Sequence, residues 1–169
     1  HPTKQGTFAE GFIFLYQQIN DSVIANVEID ASSLNLSTDG ATVTDVDYAN
    51  GTLSYTYAPK SLPMYVTEEY AICNDNYNIP ITDSINREII KISGLSDGNY
   101  KIMIDDAEIG VYTALQLSNG VNIAIAEANP GYIQSKKVYD LVAEKMAKDY
   151  ILRDIAYVER FISADLSDV

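Results

Sequence analysis

The feature that most constrains this fold is a stretch of about one hundred residues, 23–125, in which short β-rich runs alternate with turn signals. Within the run 23–29, apolar residues occupy every second position, as in a strand that is buried on one face. Asn50 and Gly51 form the strongest hairpin signal, because a type I′ turn needs positive φ at both central residues. The pattern predicts antiparallel strands joined by tight turns, with a second turn near residues 97–98.

Two helical segments flank the β-rich stretch. In residues 2–19, apolar side chains recur at spacings of 4, 3 and 4, so they lie on one face of an amphipathic helix. These side chains are Phe8, Phe12, Leu15 and Ile19. After Pro130 the chain is expected to be helical to about Ser163, and at 1.5 Å per residue these thirty or so residues would span roughly 45 Å.

Together these elements predict an α+β protein in three parts. Residues 1–22 contain the N-terminal helix, residues 23–128 form an antiparallel β-sandwich-like module, and residues 129–169 form a long C-terminal helix that packs back on the body. Prolines within residues 58–82 favour a long connection there, with one edge strand near residues 70–72.

The charge of the chain argues against two classes of partner. It has 169 residues, of which 24 are acidic and 11 basic, and its net charge is −13. A nucleic-acid-binding face needs clustered Lys and Arg, and an anionic membrane surface attracts basic segments. No apolar run approaches the roughly 18 residues of a spanning helix. We therefore expect neither a nucleic acid nor a membrane as partner.

The chain has one cysteine, Cys73, and one histidine, His1. A multi-Cys zinc site and a cluster of His ligands are therefore excluded, and we expect neither a metal nor a cofactor. Cys73 lies in a polar stretch and is interpreted as an ordinary thiol. Because the chain starts at His1 with no Met and no leader segment, we expect a processed or truncated product.

Local motifs do not assemble a nucleophile, a base and an acid. The chain lacks the G-x-S-x-G motif, the phosphate-binding G-x-x-x-x-G-K-[ST] motif and the dinucleotide-binding G-x-G-x-x-G motif. Its adjacent carboxylates, such as Asp105 and Asp106, are expected to diverge into solvent.

Tyrosine is the unusual feature of the composition, with thirteen residues and no tryptophan. Several tyrosines fall in the β-rich middle, where exposed rings would stack on sugars, although tyrosine is also a good strand former. They are Tyr55, Tyr57, Tyr65, Tyr70 and Tyr77. The alternative to an enzyme is therefore a non-catalytic, secreted β-sandwich binding module with glycan as its candidate ligand.

Two sets of motifs, in order along the chain, resemble the SGNH (GDSL-like) hydrolases. The family's last motif block, D-x-x-H-P, carries the catalytic Asp and His and resembles residues 1–6, H-P-T-K-Q-G, which a helix follows at once. The C-terminal extension of one bacterial branch contains G-L-x-x-G-x-Y, I-D-G and G-[IV]-N-L-A segments. It resembles residues 92–100, 104–110 and 120–124, although Asp106 stands where that hairpin commonly has Gly.

The resemblance implies the C-terminal part of a serine ester hydrolase whose parent is an α/β/α SGNH hydrolase with a β-module extension. His1 corresponds to the general base of a Ser-His-Asp triad, which takes a proton from the serine hydroxyl and hands it to the leaving alcohol. The other triad members lie upstream in the family, so the chain alone is expected to be inactive. The implied partners are an ester substrate, with acetylated carbohydrate favoured, and the missing N-terminal hydrolase region. A secreted or extracytoplasmic location is favoured.

Overall fold

A computed structural model describes residues 2–18 and 23–162 of the chain. The chain divides into two compact units, residues 1–135 and residues 136–169, and each is described by itself. The predicted α+β class is confirmed, with an N-terminal helix, several small sheets and a long C-terminal helix.

Five helices and eight strands are present in the described residues. The helices are α1 (Lys4–Tyr16), α2 (Glu68–Ala71), α3 (Ile81–Ile85), α4 (Ala114–Asn119) and α5 (Pro130–Tyr157), with π-helical turns at Ile72–Asn76 and Val158–Ile162. The strands are β1 (Val23–Asp30), β2 (Leu36–Asp39), β3 (Ala41–Ala49), β4 (Thr52–Pro59), β5 (Arg87–Ser93), β6 (Asn99–Ile104), β7 (Ala107–Thr113) and β8 (Val121–Asn122).

The strands form three separate sheets. One has four strands in the order β2-β1-β5-β8, and the other two are the hairpins β3-β4 and β6-β7. Every pair is antiparallel except β1 with β5, which is parallel and departs from the predicted antiparallel module. Parallel neighbours need a long crossover, and here β2 to α3 supply it, a relation that strand periodicity does not reveal.

Local turn chemistry fixes the two hairpins. Asn50 has φ 52° and Gly51 has φ 78°, so the predicted type I′ turn between β3 and β4 is confirmed. Asp105, with φ 51°, lies in the turn between β6 and β7. The second predicted turn, near residues 97–98, is the bend that leads into β6.

Two hydrophobic clusters hold the first unit together. The larger cluster lies on the four-stranded sheet and combines alternate residues of β1 and β5 with residues of β3, β7, α4 and the segment after β8. The smaller cluster contains Phe12, Tyr70, Cys73 and Ile81. The predicted edge strand near residues 70–72 is wrong, because this segment is α2 and the start of a π-helical turn. Thr67 caps α2 by accepting a hydrogen bond from Tyr70 N.

The second unit is described as far as Ile162 and consists of the continuing helix α5 and its terminal π-helical turn. Its large apolar side chains are exposed, among them Leu141, Ile151 and Leu152 at 61–66%. Three i,i+4 ion pairs support the helix by about 0.2–0.5 kcal/mol each. The packing of residues 129–169 on the body stays a prediction. Among the described helices, none combines the length and apolar content that a membrane crossing requires.

Candidate functional site

The inner face of β4 carries two tyrosines. Leu53, Tyr55 and Tyr57 alternate with exposed residues along the strand, and all three pack against the larger cluster. Burial raises the pKa of Tyr55 to about 12. Because Tyr70 belongs to the smaller cluster instead, the tyrosines of the β-rich middle do not form one stacking surface.

A buried carboxylate, that of Glu88, lies next to Tyr57. Glu88 on β5 is only 2% exposed, and its two oxygens accept hydrogen bonds of 2.7 Å from Tyr57 Oη and from Asn129 Nδ2. Burial raises the pKa of Tyr57, and the negative charge of Glu88 raises it further. Tyr57 therefore stays protonated and donates to the carboxylate at neutral pH.

Two further asparagine side chains near Glu88 form hydrogen bonds with the surrounding backbone. Asn122 Oδ1 accepts hydrogen bonds from the backbone N–H groups of Glu88 and Ala124, at 3.0 and 3.1 Å. Asn86, which is fully buried, donates to Met64 O at 3.1 Å and accepts from Met64 N at 2.8 Å. In the described residues, every buried polar side-chain atom has a hydrogen-bond partner. Each buried side-chain group of this network therefore has a partner within the protein.

Sequence reasoning missed Glu88, although a signal was available. Glu88, Ile90 and Ile92 alternate on the buried face of β5. A charged residue in phase with buried apolar neighbours needs hydrogen-bond partners in the core, since an unpaired buried charge is costly. The alternation of residues 88–92 therefore indicated a buried polar contact.

The residues singled out from the sequence do not meet in one site. His1 lies outside the described residues, so its predicted role as general base stays a prediction. Cys73 is buried, its thiol donates to Gln5 O at 3.6 Å, and burial raises its pKa, so the thiolate is disfavoured. Asp105 and Asp106 lie exposed at the tip of the β6–β7 hairpin. Within the described ranges, no group of His, Cys, Asp and Glu is suited to hold a metal ion.

A groove of about 840 Å³ lies between β4 and β6 in the first unit, and we call it the β4–β6 groove. Its walls are residues 51–57 and residues 99–105. Apolar side chains of the larger cluster form its floor. They are Ile90, Ile92, Leu117 and Ile123. The groove therefore combines an apolar floor with polar strand residues at its rim, a combination typical of binding sites.

In comparisons with known proteins, the chain is similar in structure to part of an enzyme. Neither a protein-family model nor a curated protein matches the chain. A solved structure does match, and it is described as a gut microbial diltiazem-metabolizing enzyme. The TM-score is 0.84 with 26% sequence identity, and the match covers 98% of this chain and 40% of that chain. The chain therefore shares its fold with a drug-metabolizing enzyme but spans only two fifths of that enzyme's length.

The resemblance to the SGNH hydrolases is wrong by these findings, because no family model matches and the neighbour is identified only as a diltiazem-metabolizing enzyme. The short motifs that suggested it include residues needed for local structure. Gly94, with φ 74°, follows β5, and Gly120, with φ 90°, ends α4. Such glycines occur wherever a backbone turns through positive φ, so they do not identify a family.

Proposed function

We propose that this chain is one portion of a longer enzyme that hydrolyses an ester bond in small molecules. The observation that supports this proposal is the structural match, in which nearly all of the chain corresponds to 40% of an enzyme that metabolizes diltiazem. In this proposal the described residues form a scaffold beside the catalytic portion, and diltiazem is the first substrate to test.

Exposed apolar residues of α1 support the proposal that this helix contacts another part of the longer enzyme. Phe12 packs into the smaller cluster, whereas Ile13, Phe14, Leu15 and Tyr16, which are spread around the last turn of the helix, are between 47% and 64% exposed. We call these four residues the α1 outer patch. Adjacent exposed apolar side chains are typical of an interaction surface. We propose that the patch contacts the part of the longer enzyme that corresponds to the region of the neighbour outside the match.

We place the chemistry outside the described residues. The polar network around Glu88 is satisfied, the Cys73 thiol is buried, and the described residues contain no metal-binding cluster. His1 is the one histidine of the chain, and an imidazole is the side chain whose pKa suits a general base near neutral pH. We propose that His1 activates a nucleophile that the rest of the enzyme supplies.

The test uses the longer protein, in which this chain is joined to the part that the neighbour has in addition. We expect the longer protein to consume diltiazem, and His1→Ala to lower kcat at least 1,000-fold with little change in Tm, since a general base acts as a unit with its nucleophile. Lys4→Ala is the matched control, because Lys4 is exposed on the same segment, and it should keep full activity. A His1→Ala variant that retains a tenth of kcat would remove His1 from the mechanism.

A further inference from the structure

The walls of the β4–β6 groove are lined by consecutive residues, every position of 51–57 and of 99–105. Successive side chains of a strand point to opposite faces, so a groove over one sheet face is lined by alternate residues. Consecutive lining therefore places this groove along the edges of β4 and β6. The two strands belong to separate two-stranded sheets and do not pair with each other.

The register of the first hairpin shows which backbone groups of β4 face the groove. Lys60 N donates to Gly40 O at 2.8 Å, so the backbone of Lys60 and of every second residue before it faces β3. The intervening residues present their N–H and C=O groups to the opposite edge. These residues are Leu53, Tyr55 and Tyr57.

The second hairpin follows the same logic. Ala114 N donates to Gly98 O at 3.0 Å, so Gly98 and every second residue after it face β7. The backbone groups of Asn99, Lys101 and Met103 then point to the other edge of β6. The groove is thus bounded by three outward-facing residues on each side, and in the described residues no strand pairs with either edge.

The size of the groove matches one short strand. Neighbouring strands lie about 4.8 Å apart, sheet layers about 10 Å apart, and a strand rises about 3.3 Å per residue, which gives roughly 160 Å³ per residue. A volume of about 840 Å³ therefore holds a strand of about five residues. The outward-facing residues of each wall, 53–57 and 99–103, also span five positions.

We propose that the β4–β6 groove receives an extended polypeptide segment that joins the two hairpins into one five-stranded sheet. Backbone hydrogen bonds to both edges would supply affinity, and alternate apolar side chains would rest on the floor of Ile90, Ile92 and Leu117. The net charge of −13 favours basic side chains at the outward positions. The segment comes from the part of the longer enzyme that this chain does not span, and only this source rests on the proposed function.

The first experiment tests whether the groove accepts a strand and uses the 169-residue chain alone. The probe is a blocked hexapeptide of alternating lysine and valine, and the readout is amide hydrogen exchange by NMR. We expect exchange to slow at least tenfold at Tyr55, Tyr57, Lys101 and Met103. The amide of Ile102, which already faces β7, should change little. The same peptide N-methylated at its valines should not bind. Equal binding of both peptides, or no slowing at these amides, would overturn the proposal.

A pair of variants isolates one backbone group. Lys101→Pro removes an N–H that faces the groove, and proline is tolerated at a strand edge. Lys101→Ala keeps this N–H, and both variants lose the same exposed ion pair with Glu108, whose atoms lie 2.7 Å apart. We expect Lys101→Pro to weaken peptide binding at least tenfold relative to Lys101→Ala. Equal affinities would contradict strand addition, and the exchange pattern of the unmodified chain tests the proposal even without a folded proline variant.

The last arm identifies the source of the strand. In the longer protein, the amides of Tyr55 and Lys101 should already exchange slowly, and the hexapeptide should no longer bind. Rapid exchange of these two amides in the longer protein would overturn the assigned source. The same holds if their exchange slows in the 169-residue chain only when that chain self-associates. Enzymatic turnover is measured separately, so a failure of this inference is distinguishable from a failure of the proposed function.

Discussion

The buried network around Glu88 and the β4–β6 groove lie in the same unit but differ in whether their hydrogen-bonding groups have partners. In the network, both carboxylate oxygens of Glu88 accept 2.7 Å hydrogen bonds, and no buried side-chain polar atom in the described residues is left without a partner. Along the groove, the outer edges of β4 and β6 have no partner strand in the described part of the chain. The closed region accounts for stability, whereas the open region is suited to binding.

The largest expected effect comes from removing the Glu88 carboxylate from the buried network. Glu88→Ala leaves the Tyr57 hydroxyl without its acceptor and Asn129 with one acceptor fewer, so the free energy of unfolding should fall by about 3 kcal/mol. Glu108→Ala is the matched control, since Glu108 forms an exposed ion pair and should change stability by less than about 1 kcal/mol. Urea unfolding measures both. Equal losses would contradict the distinction between the two regions.

The pH dependence sharpens the comparison for the tyrosines. The pKa of Tyr55 is about 12 in the folded chain and near 10 when unfolded, so the unfolded state loses its proton first. The contribution of Tyr55 is therefore complete below pH 10 and is lost between pH 10 and pH 12, by at most about 3 kcal/mol. Unfolding free energies of the natural chain and Tyr55→Phe at pH 8 and pH 11.5 provide the check. A gap between the two proteins that does not change with pH would contradict the assignment.

The next smaller effect on stability is expected from the removal of a single hydroxyl group. Tyr57→Phe removes the donor to Glu88 and should cost about 1.5 kcal/mol, because hydrogen bonds to charged groups exceed neutral ones. Tyr55→Phe removes the neighbouring hydroxyl and is the control; at pH 7 it should cost less than about 0.5 kcal/mol. Thermal and urea unfolding at pH 7 distinguish the two variants. A Tyr57→Phe chain as stable as the control would mean that the network does not depend on this bond.

The smallest expected effect concerns the α1 outer patch. Phe14→Ser on the exposed side should change the stability of the 169-residue chain by less than about 0.5 kcal/mol, whereas Phe12→Ser, in the smaller cluster, should cost about 3 kcal/mol. Urea unfolding measures both variants. In the longer protein, Phe14→Ser should be clearly destabilising, because we place the patch in an interface there. No difference between the short and long proteins would contradict that placement.

Local chemistry explains which parts of the fold were predictable from the sequence. The Asn50-Gly51 hairpin was predicted correctly, because its signal lies within the two residues that form the turn. The parallel pairing of β1 with β5 depends on residues far apart in the chain, so no local pattern reveals it. The helix at residues 68–71 follows from burial of Tyr70 and a cap at Thr67, which outweigh the strand propensity of the segment.

The site was less predictable than the fold for a different reason. His1 is recognisable as a candidate base from its residue type, yet it lies outside the described residues. Glu88 and Asn129 are distant in sequence and meet only after folding, and the groove is bounded by backbone groups that no residue type encodes. The motifs that suggested a hydrolase family were short segments built partly on turn glycines, and the family they indicated is wrong.

The central claim is that this chain is a scaffold portion whose chemistry lies elsewhere in a longer enzyme. Its most direct test is the turnover of an activated aryl ester by the purified 169-residue chain and by the longer protein, measured side by side at equal concentration. We expect the longer protein to hydrolyse the ester and the 169-residue chain to remain at the background rate, since its described residues offer no assembled nucleophile and base. Comparable turnover by the 169-residue chain, abolished by a substitution within it, would contradict the account.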